Sequence, residues 1–390
     1  MFSSRTRWDL SNNRLSLLLE RKRRDRRAIL DLTESNPTRV GLPYPAGEIL
    51  AALADPESLV YEPSPRGLPA ARKAVSGVFA DRDLRVDPED VFLTASTSEA
   101  YAWLFKLLAE PGDDVLVPRP SYPLFEYLTR LESLRLVSYP LVDDGGWSVD
   151  LAALEGEVGP RTRAVVVVSP NNPTGSYLKR EELSAIAAIC REREMALIGD
   201  EVFAEYAFAT DPRRAESVLQ AKDVLSFSLG GLSKLAGLPQ LKVGWAAVGG
   251  PEDLRREARG RLELLGDTYL PVNSPVQQAL PRLLQIAKGI RTDLRKRIHG
   301  NRMALEGVLR RAPSCRMLPS EGGWSAVLKI PATRSEEEWV LALLEEDEVL
   351  VHPGYFFDFS SPAYLVLSLL PAEESLREGV ERILRRVHSR

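Results

Sequence analysis

The middle of the chain contains the stretch Ala164-Val165-Val166-Val167-Val168-Ser169-Pro170-Asn171-Asn172-Pro173-Thr174-Gly175. Its first five residues are apolar and mostly β-branched, a pattern that predicts a strand buried on both faces of a sheet. The asparagine, proline and glycine residues that follow are typical of a turn. A helical pattern occupies residues 181–194, so this part of the chain predicts one strand, loop and helix unit of a parallel sheet.

The same alternation extends over roughly residues 90 to 250. Further strands are predicted at 91–94, 115–117, 196–198, 224–227 and 243–248, and further helices at 98–110 and 122–131. Strands and helices that alternate in this way predict an α/β fold, with a mostly parallel sheet covered by helices. Such sheets bind ligands beyond the carboxyl ends of their strands.

The pattern changes after about residue 250. A mostly helical stretch at 251–311 precedes short strand-like runs at 326–330 and 364–369 and an amphipathic helix at 374–388. These elements predict a smaller α+β domain. We therefore expect a large domain at 45–275 and a discontinuous small domain made of the N-terminal arm 1–44 and residues 276–390.

The composition excludes several classes of protein. With 51 basic and 55 acidic residues the net charge is −4, which gives no overall field to attract a polyanion. Two cysteines in 390 residues rule out a disulfide scaffold and suit a reducing compartment. Charged residues interrupt every apolar stretch before the ~20 residues needed to cross a bilayer. We expect a cytoplasmic protein with no nucleic-acid or membrane partner, and we predict no metal site.

One basic cluster, residues 21–27, departs from this balance. It could bind nucleic acid or an anionic membrane, or serve in targeting. It could equally be the polar end of an N-terminal helix. We favour the helix end, because Glu20 and Asp25 dilute the cluster and no second basic region accompanies it.

Candidate site residues follow the predicted strands. Ser96 and Thr97 precede a predicted helix, where hydroxyls and free backbone amides can bind an anion. Alternatively, one of them simply caps that helix together with Glu99. Asp200 follows the apolar run 196–198 and needs a partner, because an unpaired buried charge is costly. That partner is either a protein donor or a cationic ligand.

Lys234 lies among small residues between two predicted strands. If it is enclosed there, desolvation and the nearby cation Lys242 should lower its pKa and make its amine nucleophilic. The alternative is that both lysines lie on the surface of a glycine-rich loop.

In order and spacing, these clusters resemble the class I/II aminotransferases, which are fold-type-I pyridoxal-phosphate-dependent enzymes. The motifs that carry the resemblance are Asn172-Pro173-Thr174-Gly175, Asp200 and Ser233-Lys234, and the resemblance covers roughly residues 30 to 370. It implies a homodimeric aminotransferase that moves an amino group from a small-molecule amino donor to a keto acceptor by ping-pong chemistry.

The resemblance also implies roles for single residues. Lys234 forms a Schiff base with the aldehyde of pyridoxal 5'-phosphate and later shuttles a proton. Asp200 pairs with the protonated pyridine nitrogen, which keeps the ring electron-withdrawing. Asn172 donates a hydrogen bond to the phenolic oxygen of the ring. Tyr122 stacks on the ring, unless it is a core aromatic residue that opens a helix.

The phosphate and the substrate have further implied partners. Ser96, Thr97 and Lys242 would bind the phosphate. Tyr61 would reach the phosphate of the neighbouring subunit, so that the active site would need a dimer. Residues 34–41, which include Arg39 and Gly41, resemble the segment that covers the substrate.

Three positions depart from the family in the cofactor site. Lys242 stands where relatives usually have an arginine, so that the charge is kept and bidentate geometry is lost. Gly231 replaces a phosphate-binding hydroxyl residue. Phe203 replaces a tyrosine that hydrogen-bonds the phenolic oxygen, and its loss should raise the pKa of the Lys234 Schiff base.

The most consequential departure is Val366. It aligns with the arginine that binds the substrate α-carboxylate in relatives. Either another cation replaces that arginine, with Arg39 ahead of Lys329 and Arg66, or the substrate is not an ordinary α-amino acid. Asn172 can also contribute to carboxylate binding.

Two other functions remain open at this point. A lyase or another carbanion enzyme would use the same cofactor and fold, because the pocket chooses the bond that reacts. A non-catalytic ligand-sensing or DNA-associated module would need an additional DNA-binding domain, for which the about 30 residues before the resemblance are too few. Side-chain specificity is not predicted, since Trp324, Tyr355 and Phe356 could line the pocket but such residues more often belong to the core.

Overall fold

The structure is a computed structural model that describes residues 1–388 of the chain. The described residues form an eight-stranded sheet, a four-stranded sheet and a two-stranded ladder. In chain order the strands are β1 Leu30–Asp31, β2 Val91–Thr94, β3 Asp114–Arg119, β4 Arg135–Asp143, β5 Trp147–Val149, β6 Thr162–Val168, β7 Ala196–Asp200, β8 Ser226–Gly231, β9 Gly244–Gly249, β10 Arg316–Met317, β11 Ser325–Lys329, β12 Val349–Leu350, β13 His352–Pro353 and β14 Tyr364–Ser368.

Helices cover these sheets. The α-helices of the described residues are α1 Arg14–Arg24, α2 Ala46–Leu53, α3 Pro69–Ala80, α4 Thr97–Leu108, α5 Leu124–Leu131, α6 Leu151–Glu157, α7 Arg180–Glu192, α8 Leu232–Leu235, α9 Glu252–Tyr269, α10 Ser274–Leu309, α11 Glu336–Glu346 and α12 Glu373–His388.

The large sheet has the strand order β2-β9-β8-β7-β6-β3-β4-β5. Strands β4, β3, β6, β7 and β8 run parallel to one another. Strand β5 is antiparallel to β4, and β9 is antiparallel to both β8 and β2. In β6, Val166 packs into the core on one face of the sheet, and Val165 and Val167 pack into the core on the other. The prediction of an α/β fold with a strand buried on both faces is therefore confirmed.

Some predicted boundaries were wrong by two residues. The helix predicted at 122–131 begins at Leu124, because the conformation of Tyr122 is restricted by Pro123 and disfavours a helix. The strand predicted at 224–227 begins at Ser226 and continues to Gly231. Small residues at its end permit this continuation, since an added Cβ at Gly230 would lie 2.6 Å from the Trp245 indole nitrogen.

The N-terminal segment packs with the C-terminal part of the chain. Strand β1 pairs in parallel with β12, and Leu32 contacts Gly379 of α12 closely enough that an added Cβ there would lie 2.7 Å away. Such contacts suit a discontinuous small domain. The boundaries at 45 and 275 stay a prediction, and residues 389–390 of that domain lie outside the described residues.

The basic cluster at the end of α1 is largely engaged within the chain. The Lys22 ammonium lies 3.1 Å from the Glu348 carboxylate, and Arg27 lies 2.8 Å from the same carboxylate. Arg21 pairs with Glu345. These ion pairs favour the interpretation of the cluster as a helix end that docks on acidic residues. Within residues 1–388, no helix is long and apolar enough to cross a membrane.

A buried ion pair joins Arg82 to Glu201, the residue that directly follows β7. The Arg82 guanidinium is 3.1 Å from the Glu201 carboxylate, and the two side chains are 13% and 3% exposed. The other carboxylate oxygen accepts hydrogen bonds from the Ser217 hydroxyl at 2.7 Å and the Val218 N–H at 2.9 Å. Glu201 is thus an enclosed charge whose cationic partner is Arg82.

We expect Arg82→Met to lower the free energy of unfolding by about 3–5 kcal/mol, because it leaves the Glu201 carboxylate buried without its counter-ion. Urea unfolding followed by circular dichroism measures this change. The matched control is Arg85→Met, which removes an exposed arginine from the same segment and should change stability by no more than about 0.5 kcal/mol. Equal stability of the two variants would contradict the prediction.

Candidate active site

The predicted polar clusters lie at one edge of the large sheet. The carboxyl ends of β3, β6, β7 and β8 meet there because these strands are parallel. Strand β2 ends at the same edge, since it is antiparallel to β9 as β9 is to β8. Strand β7 ends at Asp200, and β8 leads directly into α8, which carries Lys234.

The Lys234 side chain is enclosed by aromatic rings. Its Nζ lies 5.4 Å from the ring centre of Phe203 and 5.1 Å from that of Trp324. Burial lowers the pKa of Lys234, and the negative charge of Asp200 only partly opposes this change. The Tyr206 hydroxyl donates a hydrogen bond of 2.6 Å to the Lys234 carbonyl and fixes the backbone. Within the described residues, no hydrogen bond or ion pair engages Nζ.

The expectation that Lys234 is enclosed agrees with the structure, whereas the expected contribution of Lys242 to its lowered pKa was wrong. Lys234 does not lie on a solvated loop, because the side chains around it remove most of its contact with water. Lys242 does lie on the surface. Desolvation, with no contribution from Lys242, lowers the pKa of Lys234.

Asp200 is held by two protein donors. The Tyr101 hydroxyl donates to Oδ2 at 3.1 Å, and the Val202 N–H donates to Oδ1 at 3.3 Å. Burial raises the pKa of Asp200 to about 6, against the opposing effects of these hydrogen bonds and of the Lys234 charge. A carboxylate has about four lone-pair positions, so that Asp200 can still accept a hydrogen bond from a cationic ligand.

The loop after β6 brings Asn172 to the same edge. Its neighbour Asn171 organises the loop by donating to the Pro120 carbonyl at 3.2 Å and accepting from the Thr174 hydroxyl at 3.0 Å. The Asn172 Oδ1 accepts a hydrogen bond of 3.2 Å from the Ser325 hydroxyl. Its amide N–H groups therefore remain able to donate to another group.

Glycine is required at the end of this loop. Gly175 has a φ of 73°, and an added Cβ would lie 2.3 Å from the Gly322 carbonyl oxygen. No other residue fits such a left-handed conformation against backbone without a shift. The close approach joins the Asn172 loop to the segment that leads into β11.

The start of α4 is capped from within the chain. Ser96 accepts a hydrogen bond of 3.2 Å from the Glu99 N–H, and the Glu99 carboxylate accepts one of 2.6 Å from the Ala95 N–H. The helix-cap interpretation of Ser96 and Glu99 is thus correct. It does not exclude an anion, because other N–H groups of the first turn have no partner within the helix and the helix dipole favours negative charge.

Strand β9 passes close to this helix start. An added Cβ at Gly244 would lie 2.9 Å from the Thr97 nitrogen, and one at Gly231 would lie 3.0 Å from the Val243 carbonyl oxygen. The second contact leaves little room for a hydroxyl-bearing side chain at Gly231. Lys242 lies two residues before Gly244, with a φ of 53° and an exposed side chain.

Several expected site residues lie on the surface. Tyr61 is 70% exposed and Tyr122 is 51% exposed, so that the interpretation of Tyr122 as a core residue is wrong. Arg39 and Gly41 are also exposed. Within residues 1–388, no hydrogen bond, ion pair or ring contact joins any of these four residues to Lys234 or Asp200.

The candidate replacements for the carboxylate-binding arginine differ in their availability. Arg66 is engaged, since it lies 2.8 Å from the Glu89 carboxylate and 2.5 Å from that of Glu263. The Lys329 ammonium lies 5.6 Å from the centre of the Tyr364 ring. Among the ion pairs of residues 1–388, none involves Arg39.

Val366 belongs to a cluster that we call the apolar wall. Val366 pairs with Val327 across β11 and β14, and the next pair on the same face is Ser325 with Ser368. Ser325 contacts Asn172. The Val327–Val366 pair of the apolar wall is therefore next to the residue pair that contacts the Asn172 loop. Its buried members are Trp147, Leu318, Val327, Phe357, Tyr364 and Val366.

The aromatic residues near the site differ in position. Trp324 is buried and packs edge-to-face on Phe203 at 5.2 Å, so that it is both a core residue and a neighbour of Lys234. Tyr355 is 45% exposed, and Phe356 packs at the margin of the apolar wall. The expected effect of Phe203 on the Schiff-base pKa stays a prediction.

Tyr101, Tyr206 and Ser325 contact site residues but were not predicted from the sequence. The only signal for the tyrosines was chemical: a buried tyrosine hydroxyl usually has a hydrogen-bond partner. Ser325 had no local signal, because its partner Asn172 is 153 residues away in the chain.

Comparisons with known proteins agree with this arrangement. The chain matches the family model for aminotransferase class I and II over residues 30–383. The glutamate-pyruvate aminotransferase AlaA of Escherichia coli is 27% identical over 365 residues, covering 92% of this chain and 90% of that protein. The alanine aminotransferase of Mycobacterium tuberculosis is 29% identical over 383 residues, covering 91% and 84%.

A solved structure extends the comparison to the fold. The alanine aminotransferase from Pyrococcus furiosus superposes with a TM-score of 0.89 at 25% identity, and the match covers 100% of both chains. This agreement confirms the expected fold of the fold-type-I aminotransferases. Since the family model spans nearly the whole sequence, the chain belongs to the class I and II aminotransferases.

Proposed function

We propose that this aminotransferase binds pyridoxal 5'-phosphate at the carboxyl edge of the large sheet and that Lys234 binds it covalently. The observation that carries the proposal is a pair of largely enclosed, partly exposed groups that follow neighbouring parallel strands. One is the Lys234 amine, whose pKa burial lowers, and the other is the Asp200 carboxylate, whose pKa burial raises to about 6. Such an amine is a nucleophile, and such a carboxylate can hold a cation.

The residues at this edge fit the cofactor. Lys234 offers an amine to an aldehyde, and Asp200 offers a carboxylate to a protonated ring nitrogen. The first turn of α4 offers backbone N–H groups to a phosphate. Gly244 leaves the Thr97 nitrogen uncovered, since a side chain there would lie against it. Lys242, just before β9, adds a positive charge near this helix start. Its ammonium group lacks the bidentate geometry of an arginine guanidinium.

When bound, pyridoxal 5'-phosphate supplies an electron-withdrawing ring and the aldehyde that carries the amino group between substrates. Lys234 takes the proton from the substrate carbon with Nζ, and its lowered pKa increases the fraction of neutral, basic amine at pH 7. The rings of Phe203 and Trp324 cover that amine and limit its contact with water. Asn172 can donate its amide N–H because Ser325 occupies its Oδ1.

The proposal includes a second subunit. Tyr61 and Tyr122 are large side chains that are more than half exposed. Their exposure suits residues that are covered by a cofactor or a neighbouring chain. We propose a homodimer in which Tyr61 reaches the phosphate of the partner's site, a cytoplasmic location, and no nucleic-acid or membrane partner.

The substrates are an amino donor and a keto acceptor. Relatives named for alanine, glutamate and pyruvate make these compounds the first to test. Arg39 stays the first candidate for carboxylate binding because it is exposed and free of ion pairs among the described residues. The apolar wall favours a second candidate, a donor whose reacting carbon bears an apolar group in place of a carboxylate.

A half-reaction with the holoenzyme and no acceptor tests the proposed function. An amino donor should convert the bound cofactor to its amine form. The absorbance band of the cofactor bound through its aldehyde should then disappear. A lyase would instead return the original spectrum as product forms. A panel of α-amino acids and simple primary amines also identifies the donor class.

We expect Val366→Arg to favour α-amino acids over primary amines by roughly 10–100-fold in the half-reaction rate. A charged hydrogen bond to a carboxylate contributes about 1.5–3 kcal/mol, which corresponds to this range. The measurement compares L-alanine with an amine that lacks the carboxylate.

The matched control is Val366→Leu, which keeps the wall apolar. Thermal unfolding of both variants verifies that a larger side chain is accommodated at this buried position. An unchanged ratio in a folded Val366→Arg protein would mean that Val366 does not face the substrate carboxylate.

A further inference from the structure

Tyr101 is a buried tyrosine that contacts the site from α4. It is 2% exposed, and its hydroxyl lies 3.1 Å from Asp200 Oδ2. Its ring packs edge-to-face on Phe125 at 5.4 Å and against Phe105 at 5.7 Å. Because the ring is held on two sides, the hydroxyl has a defined position relative to the carboxylate.

The direction of this hydrogen bond follows from the surroundings. Burial, with the charge of Asp200, raises the pKa of Tyr101 well above its usual range, so that the hydroxyl keeps its proton and donates. The charged groups that act on Asp200 are the Lys234 ammonium from α8 and the adjacent Glu201 carboxylate. Glu201 in turn pairs with Arg82. Tyr101 is therefore the side-chain hydrogen-bond donor to Asp200 within residues 1–388.

We infer that Tyr101 is a positioning residue, which holds the Asp200 carboxylate ionised and in one orientation toward a cationic group in the site. This inference rests on the proposed function only in identifying that cation as the cofactor ring nitrogen. The hydrogen bond favours the charged form of Asp200, because it is made to the carboxylate and would be weaker to the neutral acid.

The location of Tyr101 on α4 adds a geometric consequence. The same helix begins at Thr97, where the proposed phosphate site lies, and Tyr101 follows four residues later. At 1.5 Å per residue the axial separation is about 6 Å. Because Thr97 and Tyr101 lie on the same helix, the distance between the proposed phosphate site and the Tyr101 hydroxyl donor to Asp200 is fixed by that helix.

The test is Tyr101→Phe in the full chain, with Tyr139→Phe as the matched control. Tyr139 is equally buried, and its hydroxyl donates to the Val166 carbonyl at 2.8 Å without contacting Asp200. Carbon-13 NMR of the labelled aspartate carboxyls, with Asp200 assigned from Asp200→Asn, follows the titration without any cofactor. Cofactor binding as a function of pH gives a second readout.

We expect the Asp200 titration midpoint to rise by about one pH unit in Tyr101→Phe and to stay in place in Tyr139→Phe. The pH below which cofactor affinity falls should rise by the same amount. An unchanged midpoint, or an equal shift in both variants, would overturn the inference. If the carboxyl titration shifts as expected but pyridoxal 5'-phosphate does not bind, the proposed function fails while the effect of Tyr101 on Asp200 is supported.

Discussion

Lys234→Ala is expected to lower kcat by about 10⁴-fold or more. The variant lacks the amine that we propose binds the cofactor covalently and moves the proton, and general acid–base catalysis alone contributes roughly 10²–10⁴-fold. Lys242 is not expected to replace it, because its side chain is exposed and lies two residues before β9. Steady-state amino transfer with a fixed donor and acceptor measures the loss, and the cofactor absorbance reports the missing covalent bond.

Lys222→Ala is the control for this experiment. Lys222 is exposed and precedes β8, so that it lies at the opposite end of the strand that leads to Lys234. The control should keep turnover within about twofold of the wild-type value. Retained turnover in Lys234→Ala would refute the assignment of the lysine and with it the proposed chemistry.

The large sheet was predictable because its signals are local. In β6, consecutive valines pack into cores on opposite faces of the sheet, and a run of β-branched residues without charges is what such a position requires. Asp200 and Lys234 could also be predicted as site residues, since each follows a predicted strand and parallel strands bring their carboxyl ends together. The electrostatic interaction between the two residues was not predicted and is seen only in the structure.

The rest of the site depends on contacts between distant segments. Trp324 reaches Lys234 from a position 90 residues later in the chain, and no periodicity of either segment indicates that contact. Tyr101 is similar to any other aromatic residue on the inner face of a helix until Asp200 is placed beside its hydroxyl. Pairing register decides the position of Val366, because a shift of one residue would turn it to the other face of the sheet.

The roles of the exposed candidate residues were the hardest to predict from the sequence. Tyr61 and Arg39 lie on segments outside regular strands and α-helices, and their side chains face solvent in a single chain. Their proposed partners, a phosphate in a neighbouring subunit and a substrate carboxylate, lie outside this polypeptide.

Asp200→Asn is expected to lower kcat by roughly 10²–10³-fold, the loss typical for one preorganised electrostatic group. The amide keeps the size of the side chain, and its oxygen can still accept the Val202 or Tyr101 hydrogen bond. However, it carries no negative charge to stabilise a protonated ring nitrogen. A control variant, Asp253→Asn, removes a carboxylate that is 87% exposed on α9 and should leave kcat unchanged.

The pH dependence distinguishes loss of this charge from general damage. Because the pKa of Asp200 is raised to about 6, the wild-type carboxylate becomes neutral as pH falls through 6, and cofactor affinity should decline there. Asp200→Asn should show no such decline. Equal declines in both proteins would place the titrating group elsewhere.

Stability should change in the opposite direction from activity. A folded-state pKa above the usual value near 3.8 means that folding favours the protonated acid, so that this contribution to stability is present below about pH 4 and is lost as pH rises to 6. Asp200→Asn removes that loss, because the amide is neutral at every pH. Without cofactor, the variant should therefore unfold at the same or a higher temperature than the wild type at pH 7. An inactive variant that is also less stable would show that Asp200 supports the fold and not only the reaction.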